Sequence, residues 1–215
     1  MFTSHLVIAI DGPAASGKSS VARALARKLG LVYVNSGAMY RAFTWHVLKK
    51  GIDPRDTPAV LTLLHSMGFE CGLENGESTL RIDGVDPGPY LSDAPVNENV
   101  SIIARIPEVR AYLVAKQREY GQDFDLVMEG RDIGSVVFPD TPCKFYIDAS
   151  PEVRAARRAK QGYHDEIITR DKRDSSRSAS PLMLAQGAQF IDTSNLTIEG
   201  VVLEIAARLQ PLMAR

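Results

Sequence analysis

Two cysteines in 215 residues, Cys71 and Cys143, cannot build a disulfide framework, and the four histidines show no zinc-ligand spacing. No apolar stretch approaches the roughly eighteen residues of a membrane span. The start, Met1 to Ile10, lacks a basic leader and a small-residue cleavage site, so no signal peptide is expected. Charge of one sign is also missing: 25 basic against 26 acidic residues give a formal net charge of −1. That balance argues against a bulk electrostatic grip on duplex DNA or an anionic membrane, so neither is an expected partner. Aromatic residues are few at 7%, but 45% of the chain is apolar, enough to bury a substantial core. The expectation is a cytoplasmic chain of one large domain, or a core carrying insertions, with no long exposed apolar run to demand more than a monomer.

What is present alternates. Leu6 to Ile10 is a continuous apolar run, as in a strand buried on both faces of a parallel sheet. After a glycine-rich turn, Ser19 to Leu29 places Val21, Ala22, Leu25, Ala26 and Leu29 at helical spacing, and Gly30 is a natural stop. Leu31 to Val34 reads as a second strand, and Gly37 to Lys50 as a helix with Ser36 offered as its cap. Strand, helix and strand in succession make the fold class α/β, a parallel sheet flanked by helices. Phe69 to Leu73 and Thr79 to Val85 read as strands around a Glu74-Asn75-Gly76-Glu77 turn. This hairpin breaks the alternation, so roughly 66–97 is expected to be the core of an inserted subdomain. Helices near 94–105 and 108–120 follow, then strands at Asp125–Met128 and Cys143–Ile147. A helix from Pro151 to Lys160, a strand at Gln189–Ile191 and a helix from Ile198 to Met213 complete the pattern.

Gly12-Pro13-Ala14-Ala15-Ser16-Gly17-Lys18-Ser19 fits the phosphate-loop pattern G-x-x-x-x-G-K-[ST]. Glycine opens backbone conformations in which successive N–H groups turn inward around phosphate oxygens, and the helix that follows adds its positive dipole end. Gly12, Pro13, Ala14, Ala15, Ser16, Gly17, Lys18, Ser19 and the adjoining Ser20 are therefore the expected ATP-binding residues. Lys18 can reach the β- and γ-phosphates, and the Ser19 hydroxyl can bind Mg²⁺. No guanine-reading N-K-x-D is present. Transfer to a small acceptor needs a second anion site, for which Arg41, Arg110 and Arg131 are candidates. The densest charge lies at 154–177, where eight basic residues face only four acids (Asp165, Glu166, Asp171 and Asp174). A solvated helix face is the ordinary meaning of such a run, but beside a phosphate loop it suits a reaction between two polyanions.

Three further segments carry a family likeness. Ser36-Gly37-Ala38-Met39-Tyr40-Arg41-Ala42, the run Glu129-Gly130-Arg131-Asp132-Ile133-Gly134-Ser135-Val136-Val137-Phe138-Pro139-Asp140, and Arg170-Asp171-Lys172-Arg173-Asp174 resemble bacterial cytidylate kinases. The resemblance implies a single kinase domain over 1–215, with a parallel-sheet core, a nucleoside-monophosphate-binding insert and a lid at 154–177. It implies transfer of the ATP γ-phosphate to CMP or dCMP with Mg²⁺. By the same resemblance Ser101, Arg110 and Asp132 read cytosine, and Arg41, Arg131 and Arg177 hold the monophosphate. Arg170 and Asp174 sit near the sugar, Arg158 approaches the ATP phosphates, and Ser36 lies at the pocket mouth. Lys18, Arg131, Arg158 and Arg170 are the implied catalytic group. Cytosine's chemistry agrees: its amino group wants an acceptor such as Asp132, and its N3 and O2 want a donor such as Arg110. Between Arg158 and Arg170 lie only eleven residues, fewer than in relatives, so a short lid is expected.

A P-loop kinase for another small acceptor such as UMP is the neighbouring alternative. A nucleotide-dependent switch or nucleic-acid-binding module using the 154–177 cluster is the alternative from another class. Asp174→Ala should weaken use of CMP more than use of dCMP. A carboxylate that accepts from the 2′-hydroxyl leaves it unpaired when removed, at about 1–3 kcal/mol, and dCMP has no such hydroxyl. Comparing kcat/KM for the two nucleotides checks this; equal losses would assign Asp174 to the fold instead.

Overall fold

The computed structural model describes residues 5–160 and 182–213, which form two compact units. One is built from the chain up to Val34 and from Gly121 onward; the other is Asn35–Tyr120.

In the first unit, β1 (Val7–Asp11) lies between β5 (Leu126–Gly130) and β6 (Lys144–Asp148), parallel to both. The strand β7 (Gln189–Asp192) runs parallel to β6 on its far side, and β2 (Val32–Asn35) neighbours β5. The order β2-β5-β1-β6-β7 matches the parallel sheet expected from apolar runs. All five residues of β1 and of β5 are buried. Helices α1 (Lys18–Leu29) and α7 (Ile198–Met213) cover the sheet through Val21, Leu25, Val201 and Ile205, which meet Ile8, Ile10, Phe145 and Ile147. Gly30 closes α1 in a left-handed conformation, as its place after Leu29 foretells. From β1 the chain leaves to one side for β2 and later crosses to β6 on the other. Its carboxyl end is therefore a switch point of the kind where ligands bind in open α/β sheets.

The second unit has its own core of Met39, Phe43, Val60, Leu64, Ile82, Ile103 and Leu113, among others. It contains α2 (Ser36–Lys49), α3 (Thr57–Ser66), the antiparallel hairpin of β3 (Phe69–Glu74) and β4 (Glu77–Ile82), and α4 (Ala94–Ile103). The helix α5 (Pro107–Asp123) starts here, and the expected insert core at 66–97 falls within this unit. Asn75 and Gly76 both take positive φ, 52° and 77°, and make the tight hairpin turn read from their side chains.

Some boundaries differ from the pattern reading. The strand expected to reach Val85 stops at Ile82, because Asp83 and Gly84 turn left-handed and Val85 doubles back to bridge Ile82. The helix α3 was not anticipated; Asp56 caps it by accepting from the Ala59 N–H at 3.1 Å. The cap of α2 is Asn35, whose side chain accepts from the Ala38 N–H at 3.0 Å, while Ser36 is the first helical residue. No helix among the described residues is long and apolar enough to cross a membrane. Asn35→Ala should therefore lower stability to urea by about 1 kcal/mol, the usual worth of such a cap. An unchanged unfolding midpoint would contradict the assignment.

Candidate active site

The phosphate loop occupies the turn from β1 into α1, where the sequence places it. A Cβ at Gly12 would fall 2.1 Å from the Ile147 carbonyl oxygen, so no other residue fits there. Gly17 caps α1 at φ 95°, and Ala15 sits at φ 58°, an uncommon conformation for a residue with a side chain. Lys18 folds back over the loop and donates to the Pro13 carbonyl at 2.9 Å.

Two arginines of α6 (Pro151–Lys160) hold this loop from behind. Arg154, buried at 7% exposure, donates to the carbonyls of Ala14 at 3.3 Å and Ala149 at 3.0 Å, and pairs with Asp148 at 3.3 Å. Arg157 donates to the Ser16 carbonyl at 3.2 Å and to the Thr193 carbonyl at 2.7 Å, and the Thr193 hydroxyl also donates to Ser16 at 2.9 Å. In a trans peptide the C=O and the following N–H point in opposite directions. Holding the Ala14 and Ser16 carbonyls outward therefore aims the N–H groups of Ala15 and Gly17 the other way. That is what a cradle for phosphate oxygens requires.

Ser20 is exposed, whereas Ser19 is half-buried and donates to the Glu129 carboxylate at 2.8 Å. Glu129 is 3% exposed near the end of β5, within hydrogen-bond range of the Tyr33 hydroxyl at 3.5 Å. A hydroxyl that donates this way keeps its lone pairs, so the pair offers oxygen ligands of the kind Mg²⁺ takes. Beyond β5, Arg131 donates to the Gly12 carbonyl, which places it against the phosphate loop. Asp132 is buried and stands at the head of a π-helical turn over Ile133–Val137. Asp11 accepts from the Ile133 and Gly134 N–H groups, each at 2.8 Å. Burial pushes its carboxyl up to about 7, against the pull of those two N–H groups; the nearby Asp132 charge raises it further and Lys18 lowers it.

In the second unit, Arg110 is buried on α5 and donates to the Ala104 carbonyl at 3.2 Å. Its guanidinium stands 5.5 Å from the centre of the Tyr40 ring, so it meets the expected Ser36–Ala42 motif there. Gly37 leaves the room that the Arg41 guanidinium occupies, since a Cβ there would come within 3.1 Å of it. Ser36 is buried in the first turn of α2, and Ser101 is half-buried on α4, which packs against α2. Arg158 is half-buried on α6. Arg170, Asp174 and Arg177, and most of the expected lid, lie outside the described residues.

Sequence reading passed over Asp11, Glu129, Tyr40 and Thr193, and it took Arg154 and Arg157 only as members of a charge cluster. The two carboxylates leave one signal, an acid at the carboxyl end of an apolar run.

The family model for cytidylate kinase matches residues 8–211. The cytidylate kinase of Clostridium botulinum (strain Loch Maree / Type A3) is 42% identical, over 94% of this chain and 97% of that protein. That of Pelotomaculum thermopropionicum is 43% identical, over 94% and 95%. A bifunctional pantoate ligase/cytidylate kinase of Synechococcus sp. (strain WH7803) is 41% identical over 94% of this chain, which spans 44% of that longer protein. Among solved structures, the shikimate kinase of Acinetobacter baumannii in complex with shikimate superposes with a TM-score of 0.51 at 13% identity, covering 100% of this chain and 98% of that one. It is a likeness of fold alone. On the strength of the family match and these relatives, the chain belongs to the cytidylate kinase family.

Proposed function

We propose that the chain transfers the γ-phosphate of ATP to CMP or dCMP, giving ADP and CDP or dCDP. The observation that carries this reading is the phosphate loop with its carbonyls held outward by Arg154 and Arg157, in a chain of this family. Gly12 to Ser20 bind ATP, with Lys18 at the β- and γ-phosphates. Ser19, steadied by Glu129, is the residue that would hold Mg²⁺. When bound, the metal offsets the charge of the bridging phosphate oxygens.

The residues supply positioning and positive charge. Arg131, Arg158 and Arg170 balance the charge of the transferring group, and Arg41, Arg131 and Arg177 hold the acceptor monophosphate. The acceptor is itself an anion near neutral pH and needs no dedicated base. Asp132 accepts from the cytosine amino group, Arg110 and Ser101 face the rest of its polar edge, and Ser36 stands at the pocket mouth. Arg170 and Asp174 meet the sugar. The 66–97 segment belongs to the monophosphate-binding part, and 154–177 is the lid. Nucleotides are the partners in this reading, with the chain working as a monomer in the cytoplasm.

A coupled ADP-release assay with CMP, dCMP, UMP, AMP and no acceptor tests the reading: turnover with CMP and dCMP far above the others supports it, and acceptor-independent ADP release overturns it. Lys18→Ala should lower kcat by orders of magnitude while CMP binding holds, because its charge matters most as the β–γ bridge breaks. Wild-type turnover in that variant would contradict the role. Asp132→Asn should narrow the CMP-over-UMP ratio of kcat/KM, since an amide can turn its NH₂ toward the uracil carbonyl. If both values fall together and the ratio holds, Asp132 only braces the loop.

A further inference from the structure

Asp11 ends β1 one residue before the phosphate loop, and only 3% of its surface is exposed. Its two oxygens reach across to the strand-end loop after β5, where they take the N–H groups of Ile133 and Gly134. Those are the leading donors of the π-helical turn Ile133–Val137. Asp132 occupies the cap position of that turn, yet the capping bonds are made by Asp11 from a different strand. A second tie runs the opposite way, from the Arg131 guanidinium to the Gly12 carbonyl. The pair Arg131–Asp132 is thus bracketed by bonds to the pair Asp11–Gly12.

These bonds have a directional consequence. Fixing the peptide planes on either side of Ile133 fixes the backbone that leaves Asp132, and with it the direction of the Asp132 Cα–Cβ bond. Burying a carboxylate is costly for a fold, and burial here is strong enough to raise the Asp11 carboxyl well above the usual range. An apolar residue would end a buried strand at lower cost, so what Asp11 provides is geometry at the turn.

We infer that Asp11 is a positioning residue for base selection: it holds Asp132 in the orientation that tells cytosine from uracil, and locks that orientation to the phosphate loop. The inference rests on the reading of Asp132 as the partner of the cytosine amino group. Asp11 itself touches no substrate.

Asp11→Asn keeps the shape but turns an NH₂ toward one of the two N–H donors, which breaks one tie. The kcat/KM for CMP should fall about tenfold or more, as expected for a lost hydrogen bond to a charged group. UMP should lose less, so the CMP-over-UMP ratio narrows while the Kd for ATP, measured by calorimetry, is unchanged. In an Asp132→Asn background the same substitution should leave the ratio where it is, because the group it acts through is already gone. A ratio unaltered by Asp11→Asn, alongside one narrowed by Asp132→Asn, overturns the inference and leaves the reading of Asp132 intact. A ratio narrowed by Asp11→Asn but not by Asp132→Asn overturns both. Equal loss of ATP and CMP binding would make Asp11 a support of the phosphate loop alone and also overturn it. Asp11→Ser, which keeps one shorter acceptor, gives the same comparison if the amide variant does not fold.

Discussion

Which way the peptide units of the phosphate loop face is the constraint on which the nucleotide end of this chain depends. A loop of small residues has no side chains to enforce an orientation, and Ala15 at φ 58° is held against its own preference. The enforcement comes from outside. Arg154 and Arg157 take the Ala14 and Ser16 carbonyls, and Thr193 takes Ser16 a second time. A neutral donor could make similar bonds, but guanidinium bonds to carbonyls are charge-assisted and stronger. They also bring positive charge to the back of a loop whose front is built for anions.

Ionised groups are otherwise rare in a core, and this unit buries several. Asp11, Glu129 and Asp132 lie at or just past the carboxyl ends of β1 and β5, and Arg154 lies beyond β6. Each has a geometric task. Glu129 orients the Ser19 hydroxyl, Asp11 fixes the turn after Asp132, and Asp148 balances Arg154. The fold carries these costs at the sheet end where phosphoryl transfer needs fixed charges, while the middle of the sheet stays apolar. Transfer between two nucleotides has little covalent chemistry for side chains to perform, so the structure spends its polar groups on placement.

Much of this was legible in the chain. Continuous apolar runs located the parallel strands, the Asn75-Gly76 pair located the hairpin turn, and the phosphate loop stood out by spacing alone. Strand ends were less legible. Asp11 and Glu129 interrupt the apolar pattern and read as stops, although both remain inside their strands and paired, Asp11 with Gly130 and Glu129 with Ile10. Asn35 lost the cap position of α2 to Ser36 in the reading because both residue types cap well, and only the backbone decides between them. The grip of Arg154 and Arg157 on the loop was hidden for another reason. Its acceptors are backbone carbonyls far away in sequence, and carbonyls carry no residue signature. The family likeness covered Arg131 and Asp132 but was silent on what holds them.

The central claim is that the γ-phosphate goes to a nucleoside monophosphate and not to water. Phosphorus NMR of the chain with ATP, CMP and Mg²⁺ follows that phosphate directly. The account predicts loss of the ATP γ signal with equal growth of the CDP β signal and no free phosphate. Growth of inorganic phosphate without CDP would contradict it.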